Sequence, residues 1–147
     1  MRLLYADTSA LLRAYFADED EHLELRRSLL GERDPVVTSE ITRLELASAV
    51  RSAYSAGRVA RSSDLLGRIE GDLADDGAIS PIDLRPEVIL PAAYRLILEQ
   101  RLRPLDAIHV AVFVEDCPGL AGSDEITFVT RDADQARAVR ALGFAVA

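Results

Sequence analysis

Arg2-Leu3-Leu4-Tyr5-Ala6 runs straight into Asp7-Thr8-Ser9-Ala10-Leu11-Leu12. The first part is a short apolar run without alternation, the pattern of a strand buried on both faces of a parallel sheet. Asp7 ends it, and the hydroxyls of Thr8 and Ser9 open a helix that reaches about Phe16. A strand running into a helix is the repeating unit of an open α/β sheet. In such a sheet, ligands bind beyond the carboxyl ends of the strands, where the strand order reverses.

Reading outward, the same alternation recurs. Val36-Val37-Thr38 is a second strand, with Ser39 as N-cap candidate for a helix from Glu40 to about Ala56, stopped by Gly57. The acids Asp18-Glu19-Asp20-Glu21 suit the first turn of a helix to about Leu30, where negative charge meets the positive dipole end, with Gly31 as its stop. Ser63 to Asp75 reads as a helix weakened by Gly67 and Gly71, and Ile79 to Leu84 as a strand that Pro81 confines to an edge. Pro86 opens a helix to about Arg101, with Pro91 as a kink or the true start, and Pro104 opens another from Leu105 to about Glu115. Cys117 to Glu125 reads as a polar loop and Ile126 to Thr130 as the clearest late strand. Asp132 to Leu142 is a helix stopped by Gly143, and Phe144 to Val146 closes as a last strand. The expectation is one α/β domain over residues 1–147, three layers (α/β/α) around a mostly parallel central sheet.

Composition sets the surroundings. With 147 residues, 49% apolar and 29% charged, the chain is long enough for a proper core. One cysteine, Cys117, excludes an intrachain disulfide and points to a reducing compartment. The apolar run before Asp7 is too short for a signal peptide or a membrane span, so the expectation is a cytoplasmic protein. A net charge of −8 runs against the basic footprint of a nucleic-acid binder. All 17 basic residues are arginine, however, and arginine grips phosphate bidentately. Acids clustered around divalent cations would moreover reverse the local potential.

The placement of the acids carries the functional reading. Asp7 stands at the end of the first strand and Asp132 just past the strand ending at Thr130, so both belong to the carboxyl edge of the sheet. Ile41, Leu44, Ser48, Ala49 and Ser52 lie three or four residues from one another or from Glu45, so the acid sits on or beside the face expected to turn inward. There an unpaired charge is costly and calls for a cation or dense hydrogen bonding. Asp106 opens the almost wholly apolar helix Ala107-Ile108-His109-Val110-Ala111-Val112-Phe113-Val114. A cap accounts for any one of these acids, but not for several aimed at one end of one sheet. His109 reads as a core histidine bonded to backbone. Oxygen-only carboxylate donors suit Mg²⁺ or Mn²⁺, and such ions serve phosphodiester hydrolysis.

At these residues the sequence resembles the PIN-domain nucleases, and within them the VapC-type toxins of toxin–antitoxin pairs. Asp7-Thr8-Ser9-Ala10-Leu11 is similar to the opening motif, Thr42-Arg43-Leu44-Glu45-Leu46 to the glutamate helix, Leu105-Asp106-Ala107-Ile108-His109-Val110-Ala111 to the third motif, and Val129-Thr130-Arg131-Asp132 with Ala136 to the last. The resemblance implies a sheet ordered 3-2-1-4-5, Mg²⁺- or Mn²⁺-dependent cleavage of RNA, a homodimer, and inhibition by a cognate antitoxin. It carries the catalytic and metal-binding roles to Asp7, Glu45, Asp106 and Asp132, with Asp134 as a neighbouring claimant to the fourth place and Ser9 as a hydroxyl near the metal. A noncatalytic PIN-like module binding RNA or protein is the alternative. A receiver domain would need a lysine, and the chain has none; a haloacid-dehalogenase-like phosphatase would need Asp-x-Asp, where this chain has Asp7-Thr8-Ser9.

Overall fold

The computed structural model describes all residues 1–147. Five strands, β1 (Arg2–Ala6), β2 (Val36–Ser39), β3 (Ile79–Ile82), β4 (Glu125–Val129) and β5 (Ala145–Val146), form one sheet in the order β3-β2-β1-β4-β5. Every pairing is parallel, so the sheet is wholly rather than mostly parallel. β1 is central: Tyr5 lies opposite Val37 on one side and Phe128 on the other. Pro81 sits on β3, the edge strand, where its missing N–H costs no ladder bond.

Seven helices cover the two faces: α1 (Thr8–Tyr15), α2 (His22–Leu30), α3 (Ile41–Ser55), α4 (Ser62–Asp72), α5 (Pro86–Gln100), α6 (Pro104–Ala121) and α7 (Ala133–Ala141). Alternate residues of β1 serve opposite cores, because successive side chains of a strand point to opposite faces. Leu4 and Ala6 pack with Leu11, Leu29, Leu46, Val50 and Ile69 of α1 to α4. Leu3 and Tyr5 pack with Ile89, Val110, Phe113 and Val139 of α5 to α7. Tyr5 stacks on Phe128 at 5.2 Å between ring centroids, and Phe113 meets Phe128 edge-on at 5.1 Å. No helix is long and apolar enough to cross a membrane.

Three local expectations need correction. The acids Asp18 to Glu21 precede α2 instead of forming its first turn, and Glu21 itself has φ +63°. They serve tertiary ion pairs: Arg58 holds Asp18 and Glu19, and Arg131 holds Glu21. The segment from Cys117 is not a loop, since α6 continues through Pro118 to Ala121. Burial of Cys117 and packing of Ala121 on the same core reward the extra turn and override the local cost of proline. On α3 the buried face is Thr42, Leu46, Val50 and Ala53, while Leu44 is 71% exposed. Glu45 therefore borders the inward face, half-buried. Gly57 and Gly143, with φ +76° and +89°, take the left-handed conformation just past α3 and α7 that L side chains resist.

Candidate active site

The parallel topology delivers the carboxyl ends of β1 and β4 side by side, and the chain laces them together there. The amide of Asp7 donates to the carbonyl of Val129 at 3.1 Å, extending the pairing one step beyond β1. The Ser9 hydroxyl accepts from the amide of Arg131 at 2.8 Å, and the Thr130 hydroxyl from the amide of Asp132 at 3.0 Å.

Asp7 is 2% exposed and caps α1, accepting from the amide of Ala10 at 3.0 Å. Ser9 donates to its carboxylate, 2.8 Å from Oδ1 and 2.9 Å from Oδ2, and the Thr130 hydroxyl stands 2.9 Å from Oδ2. Burial pushes its pKa up, against the pull of the His109 ring and these hydrogen bonds. Capping and a buried carboxylate thus coincide in one residue.

Asp106 and Asp132 share partners. Asp132 caps α7, Oδ1 accepting from the amide of Gln135 at 2.9 Å, and the Gln135 side-chain amide reaches Asp106 Oδ1 at 3.3 Å. The Oδ2 atoms of both face one guanidinium: Arg103 Nε lies 3.0 Å from Asp106 and an Nη of Arg103 lies 3.4 Å from Asp132. Burial raises the pKa of Asp106, Arg103 opposes that, and the charge of Asp132 adds to it. Gln135, 1% exposed, also has its carbonyl oxygen 2.9 Å from the Thr130 hydroxyl, which links this pair to Asp7.

Glu45 reaches in from α3. Its Oε1 accepts from Thr8 Oγ1 at 2.8 Å and from His109 Nε2 at 2.6 Å. Burial would raise its pKa, but the histidine and the hydroxyl outweigh burial and hold it below the ordinary glutamate value. His109 is indeed buried, at 1% exposure, yet its partners are side chains rather than backbone: Glu45, Thr8 and the phenol of Tyr5. Asp134 stays apart, 65% exposed and paired with Arg137.

A groove of about 430 Å³ is lined by Glu45, Arg103, Pro104, Leu105 and Asp106. A separate cleft of about 400 Å³ beside Leu44 and Pro81 contains none of the four acids. The four acids ring one end of the sheet without closing on a point: no three His, Cys, Asp or Glu side chains form a ready-made cage for an ion. The donor set nevertheless suits a hard cation, since it is carboxylate and hydroxyl oxygen with no sulfur. A positive charge already bridges two of its members, in the form of Arg103. Sequence reasoning missed Gln135 and Arg103 as partners. Gln135 did carry a signal, a polar residue three and four positions before Ala138 and Val139 on the buried face of α7.

A wholly parallel 3-2-1-4-5 sheet covered by helices on both faces matches a PIN-like α/β/α fold. The chain belongs to the PIN-domain family: the family model for the PIN domain matches residues 4–141. Members of that family are generally nucleases. Among solved structures, it is similar to a chain in the crystal structure of VapBC2 from Rickettsia felis bound to a DNA fragment from their promoter. The TM-score is 0.63 at 15% identity, over 99% of this chain and 97% of that one, a likeness of fold. No curated protein matches the sequence.

Proposed function

We propose that this single-domain protein is a metal-dependent endoribonuclease, the toxin of a toxin–antitoxin pair. One observation carries the reading: Asp7, Glu45, Asp106 and Asp132 stand at the carboxyl edge of a PIN fold, each fixed by its own hydrogen bonds. These four would hold Mg²⁺ or Mn²⁺, which when bound supply the Lewis acidity and lowered water pKa that phosphodiester hydrolysis requires. The protein's own part is positioning. Asp7 is rigid, being buried and capped into α1, and Glu45 keeps Oε2 without a hydrogen bond. Arg103, exposed at the groove, is placed to hold a phosphate of the RNA. A cognate antitoxin belongs to the same proposal, supported by the likeness to a VapBC2 chain; a homodimer and a cytoplasmic setting are proposed with it on the resemblance of the sequence motifs alone.

A noncatalytic RNA- or protein-binding module is the second reading, favoured by the lack of a ready-made cage. One experiment separates them. Purified protein free of antitoxin is incubated with total RNA, with Mn²⁺ or with chelator, and the cleaved ends are mapped. Cleavage that requires Mn²⁺ and disappears in both Asp7→Asn and Asp106→Asn is the expected result. Full cleavage by both folded variants, or none by the parent chain, would overturn it.

A further inference from the structure

His109 lies one turn into α6, on a helix otherwise apolar for its whole buried length, and nothing in the proposed chemistry requires a histidine there. Its ring spans two polar groups from elements far apart in sequence. Nδ1 is 2.8 Å from the phenol of Tyr5 on β1, and Nε2 is 2.6 Å from Oε1 of Glu45 on α3. A carboxylate can only accept, so Nε2 carries the proton of that bond, and the buried phenol completes Nδ1. Thr8 donates to the same Oε1 at 2.8 Å. Both bonds to Glu45 thus fall on one oxygen, and Oε2 has none.

We propose that His109 is a positioning residue for Glu45: the line Tyr5–His109–Glu45 fixes the carboxylate by Oε1 and keeps Oε2 available to a cation. The inference rests on the reading of Glu45 as a cation ligand. Its physical basis is preorganisation. Glutamate has several rotatable bonds, and a free side chain would lose that freedom on binding an ion. Here the loss is taken on folding, through bonds from a buried ring and a buried hydroxyl that are partly shielded from water. A core histidine satisfied for its own sake would do as well beside backbone carbonyls. This one is spent on Glu45.

The test is Mn²⁺ affinity, by titration followed by electron paramagnetic resonance, on the full-length protein in five forms: parent, E45Q, H109L, H109Q and Y5F. H109L is expected to weaken binding about 10- to 100-fold, as loss of a group behind a ligand does. H109Q places an amide N–H close to the position of Nε2 and is expected to recover most of that loss. Y5F, which loosens the ring without touching Glu45, is expected to fall between parent and H109L. Should H109L not fold, H109N takes its place: its shorter amide serves the Tyr5 side but does not reach Glu45, so it should bind as weakly as H109L would. Parent-like affinity in H109L or H109N alongside weak binding by E45Q would overturn the role of His109. So would H109Q binding as weakly as H109L. Parent-like affinity in E45Q would instead overturn the assignment of Glu45, and the positioning role with it.

Discussion

Arg103 holds Asp106 through Nε, 3.0 Å from Oδ2, although its own side chain is 77% exposed. The same guanidinium reaches Asp132 Oδ2 at 3.4 Å, so one exposed surface cation screens two carboxylates that repel each other. A divalent ion entering between them must compete with it. Arg103→Gln is therefore expected to tighten Mn²⁺ binding, by about three- to tenfold given how modest exposed ion pairs are. It should also weaken RNA binding, because a bidentate phosphate donor is gone. Calorimetric titration of Mn²⁺ into both proteins measures the first effect. Weaker Mn²⁺ binding in the variant would mean that Arg103 orients the carboxylates more than it competes.

Asp132 and Asp134 differ in the structure more than in the sequence. Asp132 caps α7 and shares Arg103 and Gln135 with Asp106, whereas Asp134 pairs with Arg137 on the solvent side. Asp134→Asn should leave RNA cleavage within about twofold of the parent, as surface changes away from a site do. Asp132→Asn keeps a competent cap, since asparagine caps helices as well as aspartate, and so isolates the loss of charge. Cleavage by that variant should drop at least tenfold with an unchanged melting curve. The opposite ranking in a cleavage assay would move the fourth acid to Asp134.

Much of this arrangement was legible in the chain because it is local. The abrupt end of β1 at Asp7, the apolar length after Asp106 and the edge proline of β3 all follow from neighbours within a few residues. The strand order came from family resemblance, since periodicity does not say which strands pair. The orientation of Glu45 was harder. Its helix has exposed apolar residues such as Leu44, so the pattern placed the inward face on the wrong residues. The network behind the acids was out of reach: Arg103 meets Asp132 across 29 positions and His109 meets Glu45 across 64. Such contacts exist only once the sheet has brought distant helices and loops to one edge.

Gln135 is the buried point where three of the four acids are tied together, through its backbone amide, its side-chain amide and Thr130. Gln135→Leu preserves volume and helix propensity but deletes the side-chain bonds, leaving the cap on Asp132 untouched. The expected stability loss is about 1–2 kcal/mol, for two neutral or charge-assisted hydrogen bonds. Cleavage should fall about 10- to 100-fold, because Asp106 loses the only donor to its Oδ1. A denaturant melt paired with a cleavage assay checks both numbers. Unchanged activity would show that Arg103 alone suffices to set Asp106.

Asp7 and Asp106 make the metal-free protein respond to pH in an unusual direction. Burial raises both pKa values in the folded chain. Between the ordinary aspartate value and the raised one, the folded state binds more protons than the unfolded state, so stability rises as pH falls through that window. Glu45 acts oppositely: its pKa is lowered, and its contribution is lost only as pH drops below the ordinary glutamate range. In chelator, the melting temperature should therefore rise as pH falls through that window, before turning down in stronger acid. Asp7→Asn and Asp106→Asn should each flatten that climb and start from a higher melting temperature at pH 7. Saturating Mn²⁺ should reverse the trend, since protons then compete with a bound ion for the same oxygens. Thermal melts across pH, with chelator and with Mn²⁺, provide the comparison. A metal-free profile that falls monotonically on acidification would mean that neither carboxyl carries the burial penalty assigned to it.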